Sequence, residues 1–492
     1  MKFIRLISIL LFSVAALAQN EDDALRYSET FFGGSARNTG MAGAMSAFGG
    51  DFSAVTQNPA GLGRLSKTNF SATLNIESIM TSADFYGNIR NERETATNFS
   101  NLSYVKVYDL TKSRFSNWYT VQLGMGLTRI KSFNQQMNYS GVADSSILHS
   151  FIREAEGTPA SNIYDAHPFT SALAYEVFAI DPFLDSNMYT TYTTDFNSGQ
   201  AVHNRSINRE GGMTEYSFSL SGNYRNKFLL GGSINFTRVK YSESFSHQET
   251  FTDTSLWLQS INYTGYLDVE GWGYGLRVGA IYMPMDWLNI GLSAQLPTLY
   301  RLSDTWGNDM TSQTESGPYY TDQDLLPSGR YDYKITTPLR ANLSLGVVLE
   351  EYGSIGAELE YVDYSAAKLS DRRFSDAPYS FNFENDQIDN IYRSAINGRI
   401  GAEVRLTPQF YLRGGFALYG SPYEADKGNV QKSTLFYTGG LGYNWGAVYA
   451  DFSFVVRNTN ETYYAYDPTI TGSRADFDIR NAQFKLSMGL RF

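Results

Sequence analysis

The sequence predicts an all-β protein, a 14-stranded antiparallel transmembrane β-barrel with an N-terminal hatch, or plug, inside its lumen. Three observations carry this expectation. The last residues alternate strictly, with Phe484, Leu486, Met488, Leu490 and Phe492 on one face and Lys485, Ser487, Gly489 and Arg491 on the other. Runs of about ten residues with the same period of two recur along the chain, the length that crosses a bilayer at a tilt. The connections between these runs alternate between short turns and long loops, as they do on the two rims of an outer-membrane barrel.

At the N-terminus, Lys2 and Arg5 flank an apolar run from Ile4 to Leu17 that closes on Ala16-Leu17-Ala18. This predicts a secretory signal peptide over residues 1–18. No other run of about 18 apolar residues exists, so a helical membrane protein is excluded. The segment 19–67 differs from all that follows: it is rich in small residues and shows no strand alternation. Asp51 can cap a short helix through Val55, Pro59 forces Asn58 out of the helical region, and Gly61 permits a tight reversal. A compact piece of about 45 residues cannot cross a bilayer but fits inside a wide barrel, which makes it the expected plug.

The barrel is expected over residues 68–492. Its fourteen strands are Thr68 to Glu77, Phe99 to Tyr108, Trp118 to Ile130, Thr214 to Arg225, Phe228 to Tyr241, Trp272 to Met283, Trp287 to Pro297, Leu339 to Glu350, Gly353 to Tyr364, Ile396 to Leu406, Gln409 to Tyr419, Ser433 to Tyr443, Ala447 to Arg457 and Arg480 to Phe492. Turns such as Arg225-Asn226-Lys227 and Asn444-Trp445-Gly446 suit hairpins. Ser78 to Asn98, Lys131 to Met213, Ser242 to Gly271 and Thr298 to Pro338 read as long external loops. An even strand number puts both termini on the periplasmic side. A terminal strand ending at Phe492 must pair elsewhere, most economically with the first strand, because an open edge invites aggregation. That strand is also the element offered to the barrel-assembly machinery.

Composition fits this class. The chain has no cysteine, 36 Tyr, 32 Phe, 43 Gly and a formal net charge of −11. Aromatic girdles at the lipid interfaces use such residues, and a closed ladder needs no disulfide. A large soluble sandwich would share this composition but has no reason to sort its loops by length. The acidic balance excludes nucleic acid as a partner.

In the third strand, Tyr119, Val121, Leu123, Met125 and Leu127 alternate with Thr120, Gln122, Gly124, Gly126 and Thr128. Glycine within a strand marks a bulge or a close approach of other backbone, and here it also suits plain relief of crowding inside the barrel. Within Ser145 to Glu156, Ile147, Leu148, Phe151 and Ile152 form an apolar stripe at helical spacing; it suits an external ligand pocket or a helix packed on its own loop. His149, His167, His203 and His247 all fall in expected loops without metal-ligand spacing. No metal, cofactor or catalytic constellation is expected, and the chain does not read as an enzyme.

Asn58-Pro59-Ala60-Gly61-Leu62, preceded by Gly49-Gly50-Asp51 and combined with the leader and the aromatic terminal strand, resembles the FadL/OmpP1/TodX family of outer-membrane transport proteins in its Bacteroidetes form. Thr337-Pro338-Leu339-Arg340, Glu358 to Tyr364 and Gly401 to Arg405 add further echoes. The resemblance implies a place in the outer membrane of a Gram-negative bacterium, surrounded by its lipid, and a monomer is the default expectation. It further implies passive uptake of hydrophobic small molecules, long-chain fatty acids as the prototype, with release sideways into the membrane. Asn58, Pro59, Ala60 and Gly61 would be the hatch motif, and Gly124 and Gly126 the positions of a third-strand kink. The competing expectation is a barrel of the same fold that docks exported proteins as part of type IX secretion.

Overall fold

A computed structural model describes residues 21–111, 116–184, 190–322, 327–372, 379–424 and 433–492. The leader expected at 1–18 lies outside them. Fourteen strands, each paired with its neighbours, form one antiparallel wall: β1 (Asn69–Phe85), β2 (Asn88–Asp109), β3 (Trp118–Ser132), β4 (Ala201–Tyr224), β5 (Phe228–Phe251), β6 (Leu258–Met285), β7 (Leu288–Gln295), β8 (Arg340–Leu349), β9 (Gly353–Asp363), β10 (Ser394–Arg405), β11 (Phe410–Tyr419), β12 (Thr434–Asn444), β13 (Val448–Tyr464) and β14 (Arg474–Arg491). Closure comes from β1 and β14, which pair from Asn69↔Arg491 to Asp84↔Asp476. The terminal strand therefore has no free edge, which is what its greasy face required.

The lower part of the wall shows the expected division of faces. On β1, Phe70, Leu74 and Ile76 are exposed outward while Ser71, Thr73, Asn75 and Glu77 are buried inward. Lipid accepts the first set, and the second set hydrogen-bonds in the lumen, as Ser71 does to Ser103 and Thr73 to Ser487. Short turns close the inner rim; Arg225 and Asn226 both take left-handed φ, 52° and 54°, the geometry of a type I′ hairpin.

The long connections differ from the expectation. Much of what reads as loop is strand that continues beyond the apolar band. The span Ser78 to Asn98 is the outer end of the β1–β2 hairpin, turning at Tyr86-Gly87. The β3–β4 connection contains a strand at Gln135–Ala143 that pairs with β4. The β7–β8 connection contains Leu299–Thr314, paired with β6, and Ser328–Thr336. The reason is that period two persists outside the membrane while its polarity reverses: on β1, Ile79, Ala83 and Phe85 now point inward. No outward apolar stripe then betrays the strand.

The inward apolar residues form a cap over the outer mouth. Its main core packs α3 (Leu148–Ala155) and the helix Ser171–Glu176 against the outer ends of β4, β5 and β6, with Leu148, Ala174, Val177, Phe196 and Leu258 fully buried. Phe196 stacks on Phe251 with ring centroids 4.3 Å apart. Burying each such side chain contributes about 1.5–3 kcal/mol. No helix among the described residues is long and apolar enough to cross a membrane.

Candidate functional site

Residues 21–67 lie within the wall as two short helices, α1 (Glu21–Ser28) and α2 (Ala36–Gly40), followed by two 3₁₀ turns, Phe52–Thr56 and Pro59–Arg64. Asp51 caps the first turn by accepting from Ser53 N–H at 2.7 Å. Asn58, held extended at φ −140° and ψ 101°, caps the second. Its Oδ1 accepts from Ala60 N–H at 3.1 Å, and its Nδ2 donates to the Ala280 carbonyl of β6 at 3.4 Å. Thus Asn58, Pro59, Ala60 and Gly61 form the joint at which the plug meets the wall. Ala60 is fully buried against Leu229, Ile281 and Met283. Gly61 accepts from Gly50 N–H at 2.9 Å, and a Cβ at Gly49 would overlap its carbonyl. The reversal is therefore made by Gly49 and Gly50 at positive φ together with Gly61.

Wall glycines receive the plug. A Cβ at Gly279 would overlap Asn58, one at Gly231 would stand 2.7 Å from Ala60 N, and one at Gly356 would overlap the Ala44 carbonyl. Gly124 and Gly126 belong to this belt: their Cβ atoms would stand 2.8 Å from Leu62 and 2.6 Å from Phe52. The β3 ladder runs through both without a register shift, and its shifts lie at Trp118/Thr120 and Arg129/Lys131. These glycines thus stand where the plug approaches the wall closely.

A ring of buried charge surrounds the same level. Arg277 pairs with Glu215 at 3.2 Å and donates to the plug carbonyl of Val55 at 2.9 Å. Arg340 pairs with Glu360 at 2.9 Å and donates to the Ser28 carbonyl. Arg399 pairs with Glu358 at 2.7 Å. Glu403 accepts from both Arg413, at 2.6 Å, and the plug's Arg37, at 3.2 Å. Such pairs hold position, because removing one partner would strand the other charge in a buried site. Arg340, Glu358, Glu360 and Glu403 all lie in the family-like stretches quoted above. Their role was not read there, although inward charge on an otherwise polar face was the available signal.

Above the plug, a cavity of about 510 Å³ is lined by Arg26 and Glu29 of the plug region and by Lys131, Arg209, Glu243 and Arg457 of the wall. Its lining is mixed rather than apolar. Arg209 is neutralised by Glu243 at 2.8 Å and Glu461 at 3.1 Å. Burial would raise the Glu243 carboxyl, but Arg209 and Arg26 hold it at about 2. Lys131 lies 3.6 Å from Glu29. Arg457 makes no ion pair among the described residues and rests over the Phe31 ring at 5.4 Å.

Beside this cavity the wall is interrupted. The β2–β3 ladder runs only from Asp109↔Thr120 to Asn101↔Thr128. Beyond it, β2 continues to Asn88 paired with β1, and β3 continues to Ser132 paired with β4. Farther out the two sides touch again where Asn88 Nδ2 donates to the Ser140 carbonyl at 2.6 Å. The gap opens beyond Asn101, at the level of Phe99, which is exposed on the lipid side. Its β3 edge, Lys131 to Gln135, lines the cavity.

Ile147, Leu148, Phe151 and Ile152 are not in this cavity. The first three are buried in the closed cap core and Ile152 packs against it, so the stripe is a helix seated on its own loop assembly.

No family model and no curated protein matches the sequence. Solved structures do. A FadL homologue from Pseudomonas aeruginosa aligns with a TM-score of 0.57 and 14% identity, over 94% of this chain and all of that one. The Pseudomonas putida toluene transporter TodX aligns at 0.53 and 12%, over 94% and 99%. The chain has the FadL-type barrel fold. At such low identity the shared property is architecture, here a closed 14-stranded barrel spanning a membrane.

Proposed function

We propose that this FadL-type barrel takes hydrophobic small molecules passively across the outer membrane of a Gram-negative bacterium, favours an amphiphile with an anionic head, and releases it sideways rather than through the plug. The interrupted β2–β3 ladder carries this reading, because it puts a gap in the wall beside a lumenal cavity. A fatty acid entering that cavity would meet Arg457, which makes no direct ion pair among the described residues, and Lys131 at the edge of the gap. A carboxylate would gain a charge-assisted hydrogen bond there. Its acyl tail would leave water for lipid at roughly 25 cal/mol per Å². Below, the path is shut by the plug's contacts with the wall. Transfer then follows affinity, needs no catalytic group, and makes the protein a transporter rather than an enzyme.

The test is uptake of labelled oleate and of toluene by cells lacking their own transporter of this type. Wild-type protein should raise both above the empty vector, and Arg457→Ala should reduce oleate uptake while sparing toluene. Equal uptake with and without the protein, together with an exported protein retained on the purified barrel, would replace this reading with the docking one.

A further inference from the structure

Far from the plug, the outer ends of β4 and β5 bring together three side chains that could ligate a metal. His203 stands opposite Glu249 in the ladder, and His247 precedes Glu249 by two residues on the same inward face. The histidines expected in loops are therefore, in these two cases, strand residues. All three side chains are fully buried, and one ligand atom of each lies within 4.8 Å of the others.

The hydrogen bonds leave a specific deficit. His203 Nε2 lies 2.9 Å from the Ser145 carbonyl, which can only accept, so the ring proton resides on Nε2 and Nδ1 keeps its lone pair. That Nδ1 has no hydrogen-bond partner and faces Glu249 Oε1 at 3.4 Å. The same oxygen accepts from Ile147 N–H at 2.8 Å and lies 2.8 Å from His247 Nε2, while Oε2 accepts from the Ser146 hydroxyl. Two lone pairs thus oppose each other in a site closed to solvent, an arrangement that a cation between them would relieve. Around a tetrahedral zinc ion with bonds of about 2.0–2.1 Å, adjacent ligand atoms stand roughly 3.3 Å apart; His203 Nδ1 and Glu249 Oε1 are already 3.4 Å apart, and the 2.8 Å between His247 Nε2 and the same oxygen would lengthen on binding.

We propose that His203 Nδ1, His247 Nε2 and a Glu249 carboxylate oxygen form a binding site for a divalent transition-metal ion of the zinc type, which pins the external cap to the barrel. Two imidazoles and one carboxylate are an established donor set for such ions. The bond from His203 Nε2–H to a backbone carbonyl is the outer contact that usually fixes the tautomer of a ligating histidine. Burial makes both imidazoles less basic, with Arg205 adding to the effect on His247, and so favours the neutral form that ligation needs. On binding, His247 holds its proton on Nδ1 and presents Nε2 to the ion. The groups these ligands touch, Ser145, Ser146 and Ile147, lead directly into α3, so occupation of the site would fix the entry to the cap. Arg205 stands across the ladder from His247 and donates to the Tyr463 hydroxyl at 2.7 Å. Its charge opposes a second cation, so affinity should fall below that of sites closed by thiolates.

Full-length protein in detergent, stripped with chelator, is titrated with Co²⁺ and then Zn²⁺. One ion per chain is expected, with the visible absorption of four-coordinate cobalt, abolished by zinc. Zinc should also slow protease cleavage within residues 143–200 relative to chelator. His203→Ala and Glu249→Gln each remove a ligand and should weaken zinc binding by at least about 100-fold, the upper end of what losing an outer-shell partner costs. His167→Ala, whose ring faces Glu154 at 3.3 Å elsewhere in the cap, should leave it unchanged. Heat-dependent gel migration reports whether each variant barrel is folded. The wild-type cobalt titration needs no variant, so a misfolded mutant leaves the question decidable. Failure of the wild-type protein to bind either ion, or variants binding like wild type, would overturn the site, whatever ligand the lumen carries.

Discussion

The two ends of β14 share one period and have opposite polarity. From Phe484 to Leu490, the apolar residues Phe484, Leu486, Met488 and Leu490 point outward, while Lys485 and Ser487 are buried inside. From Arg474 to Arg480 the charges Asp476, Asp478 and Arg480 point outward, while Ala475, Phe477 and Ile479 are buried. The backbone ladder continues unbroken through both, from Tyr464↔Arg474 to Val448↔Leu490. Solvent alone changes, from lipid to water, and the side chains exchange faces accordingly. The inner end thus behaves as a membrane protein and the outer end as a soluble β-domain held above it.

If so, the two ends should fail differently. The largest effect is expected in the outer core, where Phe151 is buried and meets Tyr263 edge-on at 5.3 Å. Phe151→Ala should cost about 3–5 kcal/mol of cap stability, the usual range for emptying a core aromatic site. Hydrogen exchange and proteolysis should show the cap opening while the membrane-spanning ladder keeps its heat-resistant migration. Loss of both together would mean that cap and barrel are one cooperative unit and that the comparison divides the molecule wrongly.

A smaller effect should sharpen the reversal on β14 itself. Leu486 faces outward between Leu74 and Phe452 in the middle of the apolar band. Leu486→Arg should destabilise the folded barrel by about 2–4 kcal/mol in a lipid refolding titration. Asp478→Arg, also outward but beyond the band, should change stability by less than about 0.5 kcal/mol. Comparable costs at both positions would show that the apolar band reaches farther out than the pattern indicates.

The same reversal explains how much of the structure was legible. All fourteen strands were found from their lipid-facing stripe, and their inner ends lie within a few residues of the expected positions, as with Phe228 and Gly353. The outer ends of β1, β2, β4, β5, β6, β13 and β14 were missed because residues such as Ile79, Phe85 and Phe477 carry apolar character on the inward face, where a lipid-based template reads loop; those of β3 and β7 to β12 fall within two residues of expectation. The plug joint was visible at Asn58-Pro59 because a proline acts locally on the residue before it, although the capping bond of Asn58 itself was not read. The glycine belt was visible only as residues of unexplained smallness: Gly124 acquires its meaning from Leu62, sixty-two positions earlier, and no local spacing encodes that contact. The His203, His247 and Glu249 cluster was hidden for the same reason, since register across two strands created it.

The smallest effect separates the two bonds made by Asn58. Its Oδ1 closes the turn on Ala60 N–H, and its Nδ2 reaches the wall at the Ala280 carbonyl. Asn58→Ala removes both, and loss of the cap alone should cost about 1 kcal/mol, raising the frequency of plug opening about fivefold in planar-bilayer conductance. Asn58→Asp keeps the capping oxygen but cannot donate to Ala280. If the cap holds the plug, the Asp variant should conduct almost like wild type. Conduction equal to that of the Ala variant would instead place the restraint in the 3.4 Å bond to β6. The hatch motif would then act by gripping the wall, with the shape of its own turn secondary.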